Sequence, residues 1–164
     1  MHNIRIARFE DLESIIEIYN QAINGRFETA DIDEVKLSDK LEWFLSHQPD
    51  TYPIFVYEKK RQVLGWISLS PYRKGRMALR HTIEISYYVH RDFKRQGIGS
   101  KLVEYSLLQS KKMGYKTLFA IILDKNEASI NLLHKFGFTD WGHMPNIADF
   151  DGEECGHVYL GYKL

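Results

Sequence analysis

The chain has 164 residues, 44% hydrophobic and 27% charged, the balance of a soluble globular protein with one well-buried core. Its 22 basic and 22 acidic residues cancel, which argues against a general nucleic-acid binder or a protein held on an anionic membrane. A single cysteine, Cys155, excludes an internal disulfide and fits a reducing compartment. No apolar run reaches membrane length, the opening MHNIRIARFEDLESII has no apolar signal core, and no repeat or linker divides the chain. A single cytoplasmic domain over residues 1–164 is expected.

Ile4 and Ile6 alternate with polar residues and predict a short first strand. From Asp11, residues Leu12, Ile15, Ile16, Tyr19 and Ile23 form one helical face, which Asn24 and Gly25 stop. Residues 26–36, RFETADIDEVK, have no period and read as a loop of functional length. Ser38 is the expected cap of a helix carrying Leu41, Phe44 and Leu45 and ending before Pro49. Residues 54–57 and 63–69 read as strands of an antiparallel hairpin, joined by the polar residues 58–62. A basic connection, residues 71–80, follows.

Residues 82–112 organise the chain. TIEISYYVH has the β-branched and aromatic content of a strand, RDFKRQGIGS sets basic residues ahead of Gly97 and Gly99, and Ile98, Leu102, Tyr105 and Leu108 then keep helical spacing to Lys112. Gly114 is placed to end that helix. A strand, a glycine turn and a helix N-terminus make an anion site, because the first helical N–H groups have no partner inside the helix and glycine lets an anion approach the backbone. Residues 95–100, with Lys94, therefore read as a pyrophosphate cradle. The spacing is neither G-x-G-x-x-G nor G-x-x-x-x-G-K-[ST], so dinucleotide and P-loop sites fit poorly. Further on, TLFAIIL (117–123) is apolar throughout, as a strand buried on both faces requires. Asn126 can cap a helix over 128–135 that Gly137 closes, and residues 138–143 and the alternating Val158, Leu160 and Tyr162 supply two last strands. The order βααβββαβαββ predicts an α+β domain on a mixed sheet.

Lys94-x-x-Gly97-x-Gly99 at a strand-to-helix junction is similar to the coenzyme A signature of the GNAT superfamily of N-acetyltransferases. With the element order, the whole chain resembles a GNAT domain, a three-layer α/β/α fold whose central mixed sheet is mostly antiparallel. IARFEDLESIIEIYNQAI, RHTIEISYYVH and NEASINLLHKFGF further resemble the phosphinothricin (methionine sulfoximine) acetyltransferase-like branch. The resemblance implies acetyl-CoA as co-substrate, with no metal, held in a V-shaped opening between the fourth and fifth strands. Tyr87, Tyr88 and Val89 would serve the pantetheine arm and the acetyl carbonyl. Arg95, Gln96, Gly97, Ile98, Gly99 and Ser100 would hold the pyrophosphate, and Asn126 would touch the coenzyme arm as well as cap its helix. It also implies a homodimer.

Acetyl transfer to an amine needs a base for the ammonium proton, a donor for the oxyanion and a tolerable thiolate leaving group. Glu84 stands where the branch has its general base, and a carboxylate inside an apolar strand is costly unless paired or functional. Partial burial would raise its pKa toward a base's working range. Direct attack by the amine is expected, since Cys155 lies in the polar run DGEECGH with no base near it in sequence. Many GNAT members carry a tyrosine acid where this chain has Leu133, so Tyr87, Tyr88 or water remain as donors to the thiolate. The histidines lack metal-ligand spacing, and Trp43, Trp66 and Trp141 read as core or interface aromatics.

The branch similarity supports Arg80 and His81, in SPYRKGRMALRHTIE, as residues for an acceptor carboxylate, and Phe27 as a wall of the acceptor pocket. The reading is N-acetylation of a small amino-acid-like amine. Competing readings are another small amine, a protein N-terminus, or a sensor that binds acetyl-CoA without turnover, which would have no need of Glu84.

Overall fold

The structure, a computed structural model, describes residues 3–164. Among these, seven strands form one sheet: β1 (Ile4–Ile6), β2 (Ile54–Lys59), β3 (Gln62–Pro71), β4 (Thr82–Val89), β5 (Thr117–Leu123), β6 (Thr139–Phe150) and β7 (Glu153–Lys163). Four α-helices accompany them: α1 (Leu12–Gly25), α2 (Leu37–Ser46), α3 (Ile98–Lys112) and α4 (Glu127–Lys135). The spatial order is β1-β2-β3-β4-β5-β7-β6, and every neighbouring pair is antiparallel except β4 and β5. This is the α+β order expected from the sequence.

The period-2 alternation of the strands divides the core between the two faces of the sheet. On one face Ile67, Leu69, Ile83, Ile85, Leu118, Ala120 and Leu160 pack with Ile98, Leu102 and Val103 of α3 and Leu133 of α4. On the other, Ile54, Val56, Val63 and Trp66 pack with Ile15 and Ile18 of α1, joined by Trp43 and Phe44 of α2. The Trp66 indole N–H is satisfied in this apolar setting by the Ile15 carbonyl at 3.1 Å. At the β1 edge, Arg5 forks onto both Asp11 oxygens at 2.6 and 2.9 Å and also pairs with Glu58, tying β1 to α1 and β2. Burial would raise the Asp11 pKa, but the Arg5 guanidinium and the Arg8 N–H together hold it below the usual carboxylate range.

Three local expectations are corrected. Ser38 lies inside α2 rather than capping it; the Lys36 N–H is instead accepted by Asp39 at 2.8 Å. Strands β2 and β3 run on to a two-residue turn at Lys60 and Arg61, both at positive φ (52° and 65°), where the polar composition suggested a longer loop. The last hairpin is far longer than the two short strands expected. Its turn is Asp151-Gly152, at φ 54° and 94°, and an irregularity between Met144 and Ala148 takes up Pro145, which has no N–H for the ladder, and Asn146.

Candidate active site

Strands β4 and β5 pair only from Thr82↔Thr117 to Glu84↔Phe119 and then part. On its other side β4 stays paired with β3 as far as Val89↔Gly65. Beyond that, the His90 N–H bonds the Leu64 carbonyl. Backbone groups alternate sides along a strand, so the polar groups of Tyr87 and Val89 face the opening left by β5. This is the V-shaped notch expected between the fourth and fifth strands, and the last residue paired before it opens is Glu84.

The N-terminus of α3 closes one side of the notch. Lys101 is the first residue to bond back along the helix, to Gly97 O at 3.1 Å, which leaves the N–H groups of Ile98, Gly99 and Ser100 without helical partners. Gly97, at φ 78°, supplies the left-handed turn into the helix. Gly99 serves by its size: a Cβ there would lie 3.2 Å from Leu132 Cδ2, 3.8 Å from Val89 Cγ2 and 3.9 Å from Tyr87 Cε2. Arg95 also adopts positive φ, 61°, a strained conformation of the kind found at ligand-binding turns. Lys94 is held by Glu28 at 2.5 Å, which bridges the cradle to the loop after α1.

A cleft of about 530 Å³ joins these parts. Tyr87, Tyr88, Val89, Lys94, Arg95, Gly97, Ile98, Gly99, Ser100 and Asn126 all line it, opposite Ile121, Ile122 and the α4 residues Ser129 and Leu132. Gln96 does not; it is exposed, its amide 3.5 Å from the Asp92 carbonyl. Asn126 caps α4, accepting the Ser129 N–H at 3.2 Å. The Tyr87 hydroxyl donates to Ser129 Oγ at 3.0 Å, and burial pushes its pKa up to about 12, so it stays protonated at neutral pH. Leu133 is fully buried in the core behind this wall.

A smaller side cavity of about 120 Å³ lies on the α1/α2 face, lined by Tyr19, Lys40, Trp43, Trp66, Ser68, Ser70, Ser86 and Tyr88, with Ile15 and Ile16. Ser86 and Tyr88 line both spaces, so β4 is their shared wall. Side chains alternate along β4, which puts Glu84 on the same face as Ser86 and Tyr88. Glu84 itself lines neither space; it is half-buried, and burial alone raises its pKa above the usual carboxylate range. The Tyr19 hydroxyl bonds Thr29 at 2.8 Å and Asp31 at 2.5 Å, anchoring the 26–36 loop over this face, and Lys40 stands over the Tyr19 ring.

The residues expected to bind the acceptor are not brought together here. Arg80 is exposed, with Nη1 on the Met77 carbonyl at 2.9 Å, and it lines neither space. His81 is half-buried and takes part through its backbone carbonyl, which accepts from Lys116 and Thr117. Phe27 packs edge-on against Phe150, beside Cys155 and between Arg26 and Lys125. Lys40, Ser70 and His47 carry no signal in the sequence as site residues, and Tyr19 reads there only as part of a helical face, because α1, α2 with its C-cap, and β3 each look ordinary in their own windows. Trp43 and Trp66 are core aromatics as expected, yet they also wall the side cavity. Cys155 is buried in β7, and burial raises its thiol pKa.

A strand pair that parts beside a glycine-led helix N-terminus is the arrangement expected from the sequence for an acyl-coenzyme A site. Residues 12–138 match the acetyltransferase (GNAT) family. YwnH of Bacillus subtilis, a candidate phosphinothricin acetyltransferase by name, is 36% identical over 162 residues, covering 98% of each chain. The L-methionine sulfoximine/L-methionine sulfone acetyltransferase of Salmonella typhimurium is 33% identical over 161 residues, covering 98% of this chain and 94% of that one. The crystal structure of a phosphinothricin acetyltransferase from Sinorhizobium meliloti in complex with acetyl-CoA superposes with a TM-score of 0.92 at 25% identity, over 98% of this chain and 87% of that chain. The chain belongs to the GNAT family and is an acetyl-CoA-dependent N-acetyltransferase.

Proposed function

We propose that the enzyme acetylates the amine of a small amino-acid-like acceptor, of the phosphinothricin or methionine sulfoximine type, with Glu84 as general base. The observation that carries this reading is the shared wall: Ser86 and Tyr88 belong to both the coenzyme cleft and the side cavity, and the half-buried carboxylate of Glu84 lies two residues from Ser86 on the same face. The names of the relatives agree with it.

Acetyl-CoA supplies the activated acetyl group. The chain does the rest. The free N–H groups of Ile98, Gly99 and Ser100, with Arg95 and Lys94, hold the pyrophosphate, and Asn126 lies along the coenzyme arm. The Val89 N–H, facing the open side of β4, receives the developing oxyanion. Glu84, raised by burial toward a base's range, takes the ammonium proton so that the amine attacks directly. The Tyr87 hydroxyl, kept protonated, stands in the cleft wall and turns from Ser129 Oγ to donate to the departing sulfur. Lys40, whose ammonium stands 3.9 Å from an Asp31 oxygen, provides the cation for the acidic end of the acceptor, a role that exposed Arg80 is poorly placed to fill.

Thiol release from acetyl-CoA should be followed across a panel of L-phosphinothricin, L-methionine sulfoximine, L-methionine sulfone and simple amines. Glu84→Gln should lower kcat by about 10²–10⁴-fold, the usual worth of a general base, without weakening coenzyme binding. Turnover that survives the substitution removes Glu84 from the mechanism, and turnover confined to simple amines removes the amino-acid-like acceptor. The whole chain acts as one domain in this reading, and it pairs with a second copy along β6, an exposed edge strand carrying Trp141, Met144 and Ile147 at 46–47% exposure. Gel filtration at the mass of one protomer would contradict that pairing.

A further inference from the structure

Resting on the acetyl-transfer reading above, we propose that Ser70 is a binding residue for the acceptor amine and that His47 is the positioning residue that keeps the Ser70 oxygen a hydrogen-bond acceptor. His47 follows α2, and its Nδ1 lies 2.7 Å from the Trp43 carbonyl oxygen. A carbonyl can only accept, so Nδ1 carries the ring hydrogen and Nε2 is bare. Burial lowers the His47 pKa, which keeps the ring neutral. Nε2 lies 3.0 Å from Ser70 Oγ and takes the serine's only hydrogen. The oxygen then has lone pairs to offer and no proton to give.

Ser70 lines the side cavity, so that oxygen is available to a ligand. It can receive N–H from an ammonium, and it has no hydrogen left for a carboxylate, a carbonyl or an ether. In the β3–β4 ladder Ser70 stands directly opposite Glu84. Cross-strand Cβ atoms in such a pair lie about 4.5–5.5 Å apart on one face, close enough for one ammonium to touch both the hydroxyl oxygen and the carboxylate. The next pair on that face, Ser68↔Ser86, is about 7 Å further along, where cleft and cavity share Ser86. An amine received by Ser70 and Glu84 is thus beside the place the acetyl group reaches. This also orients the acceptor: its nitrogen toward β3 and β4, its acidic end toward Lys40.

If His47 merely closed α2, Ser70 would be free to serve any polar ligand, and amine selectivity would not depend on either residue. The test takes the panel amine that turns over best and a des-amino counterpart in which hydrogen replaces the amine. Ser70→Ala should raise KM for the amine by about ten- to a hundredfold, the range for a hydrogen bond to a charged group. KM for acetyl-CoA and the inhibition constant of the des-amino compound should stay where they are. His47→Leu, which lets the Ser70 hydroxyl turn and donate, should lower the preference for amine over des-amino compound. His47→Gln, whose amide oxygen can still accept from Ser70, should restore most of it. Equal losses for amine and des-amino compound in Ser70→Ala, or no loss for either, would overturn the proposal while leaving acetyl transfer standing. That single variant decides the matter should His47→Leu fail to fold. A wild type that binds acetyl-CoA yet releases no thiol with any panel amine would sink the acetyl-transfer reading, and the assignment of Ser70 with it.

Discussion

Alanine at Gly97 and at Gly99 should fail in opposite ways. Gly97 sits at φ +78° with nothing within 4 Å of an added Cβ, so substitution there costs only the left-handed backbone. That penalty is about 1–2 kcal/mol, or about 2–8 °C of melting temperature for a chain of this size. Gly99 lies within α3 at ordinary helical dihedrals, where alanine gains about 0.5–1 kcal/mol of helix stability. Its Cβ would press on Leu132 Cδ2 at 3.2 Å, the movable end of a side chain, so the gain and the crowding roughly cancel. The same Cβ would stand between Val89 and Tyr87 in the cleft wall, over N–H groups that should meet the pyrophosphate. Losing one charge-assisted hydrogen bond there weakens coenzyme binding by about ten- to a hundredfold. Calorimetric titration with coenzyme A, paired with thermal melts, reads both quantities. Gly99→Ala should melt like the wild type and bind poorly; Gly97→Ala should melt early. Coenzyme A binding by Gly99→Ala as tight as that of the wild type would refute a cradle at this helix.

Glu84→Gln should raise the melting temperature at neutral pH. A carboxyl whose folded pKa is raised binds its proton more tightly folded than unfolded, so its stabilising effect is full below the unfolded pKa and is lost as pH rises through the folded one. The gap between variant and wild type should close in acid, and equal melting at neutral pH would contradict the burial penalty. Asp11→Asn should behave in the reverse sense, because Arg5 and the Arg8 N–H depress the Asp11 pKa against its burial. The variant should melt earlier than the wild type at neutral pH, and the two should converge as pH falls through the folded pKa of Asp11; a deficit that persists in strong acid would point to packing instead. Tyr87→Phe should lower kcat by about tenfold, less than an obligatory acid, since a thiol of pKa about 8.5 leaves tolerably unaided. Unchanged kcat would assign that proton to water.

The parts legible in the sequence were those whose cause is local. β5 needs to be apolar on both faces because it lies inside the sheet, and TLFAIIL says so over its full span, Thr117–Leu123. The turn into α3 needs a left-handed residue and a small one, and Gly97 and Gly99 supply them. Local composition misled where tertiary context overruled it. Pro145 and Asn146 would end most strands, yet they sit in an irregularity of a long outer strand whose ladder resumes at Ala148↔Cys155. The Asp151-Gly152 turn was a hairpin signal that the polar run DGEECGH obscured. The side cavity could not be read at all, since its walls come from α1, α2, β3 and β4, and only folding brings Lys40, Trp43, Ser70 and Ser86 together.

One strand can serve both substrates because its pairing with β5 stops where it does. Up to Glu84, β4 is an ordinary interior strand with a neighbour on each side. After Glu84 its backbone is released on the β5 side while β3 still holds it straight, so Tyr87 and Val89 can offer main-chain groups to a coenzyme without loss of strand geometry. The side chains keep alternating throughout. Those of Tyr87 and Val89 go to the α3/α4 face, and those of Glu84, Ser86 and Tyr88 go to the α1/α2 face, which holds the side cavity. In the proposed mechanism, coenzyme recognition rests mainly on backbone groups and glycines, which leave little room for change. In the same mechanism, acceptor recognition rests on side chains, most of them from α1, α2 and β3, which can be exchanged without disturbing the cradle. On that division, the coenzyme site should be legible in any member of the family, while each acceptor has to be read from the structure that assembles its pocket.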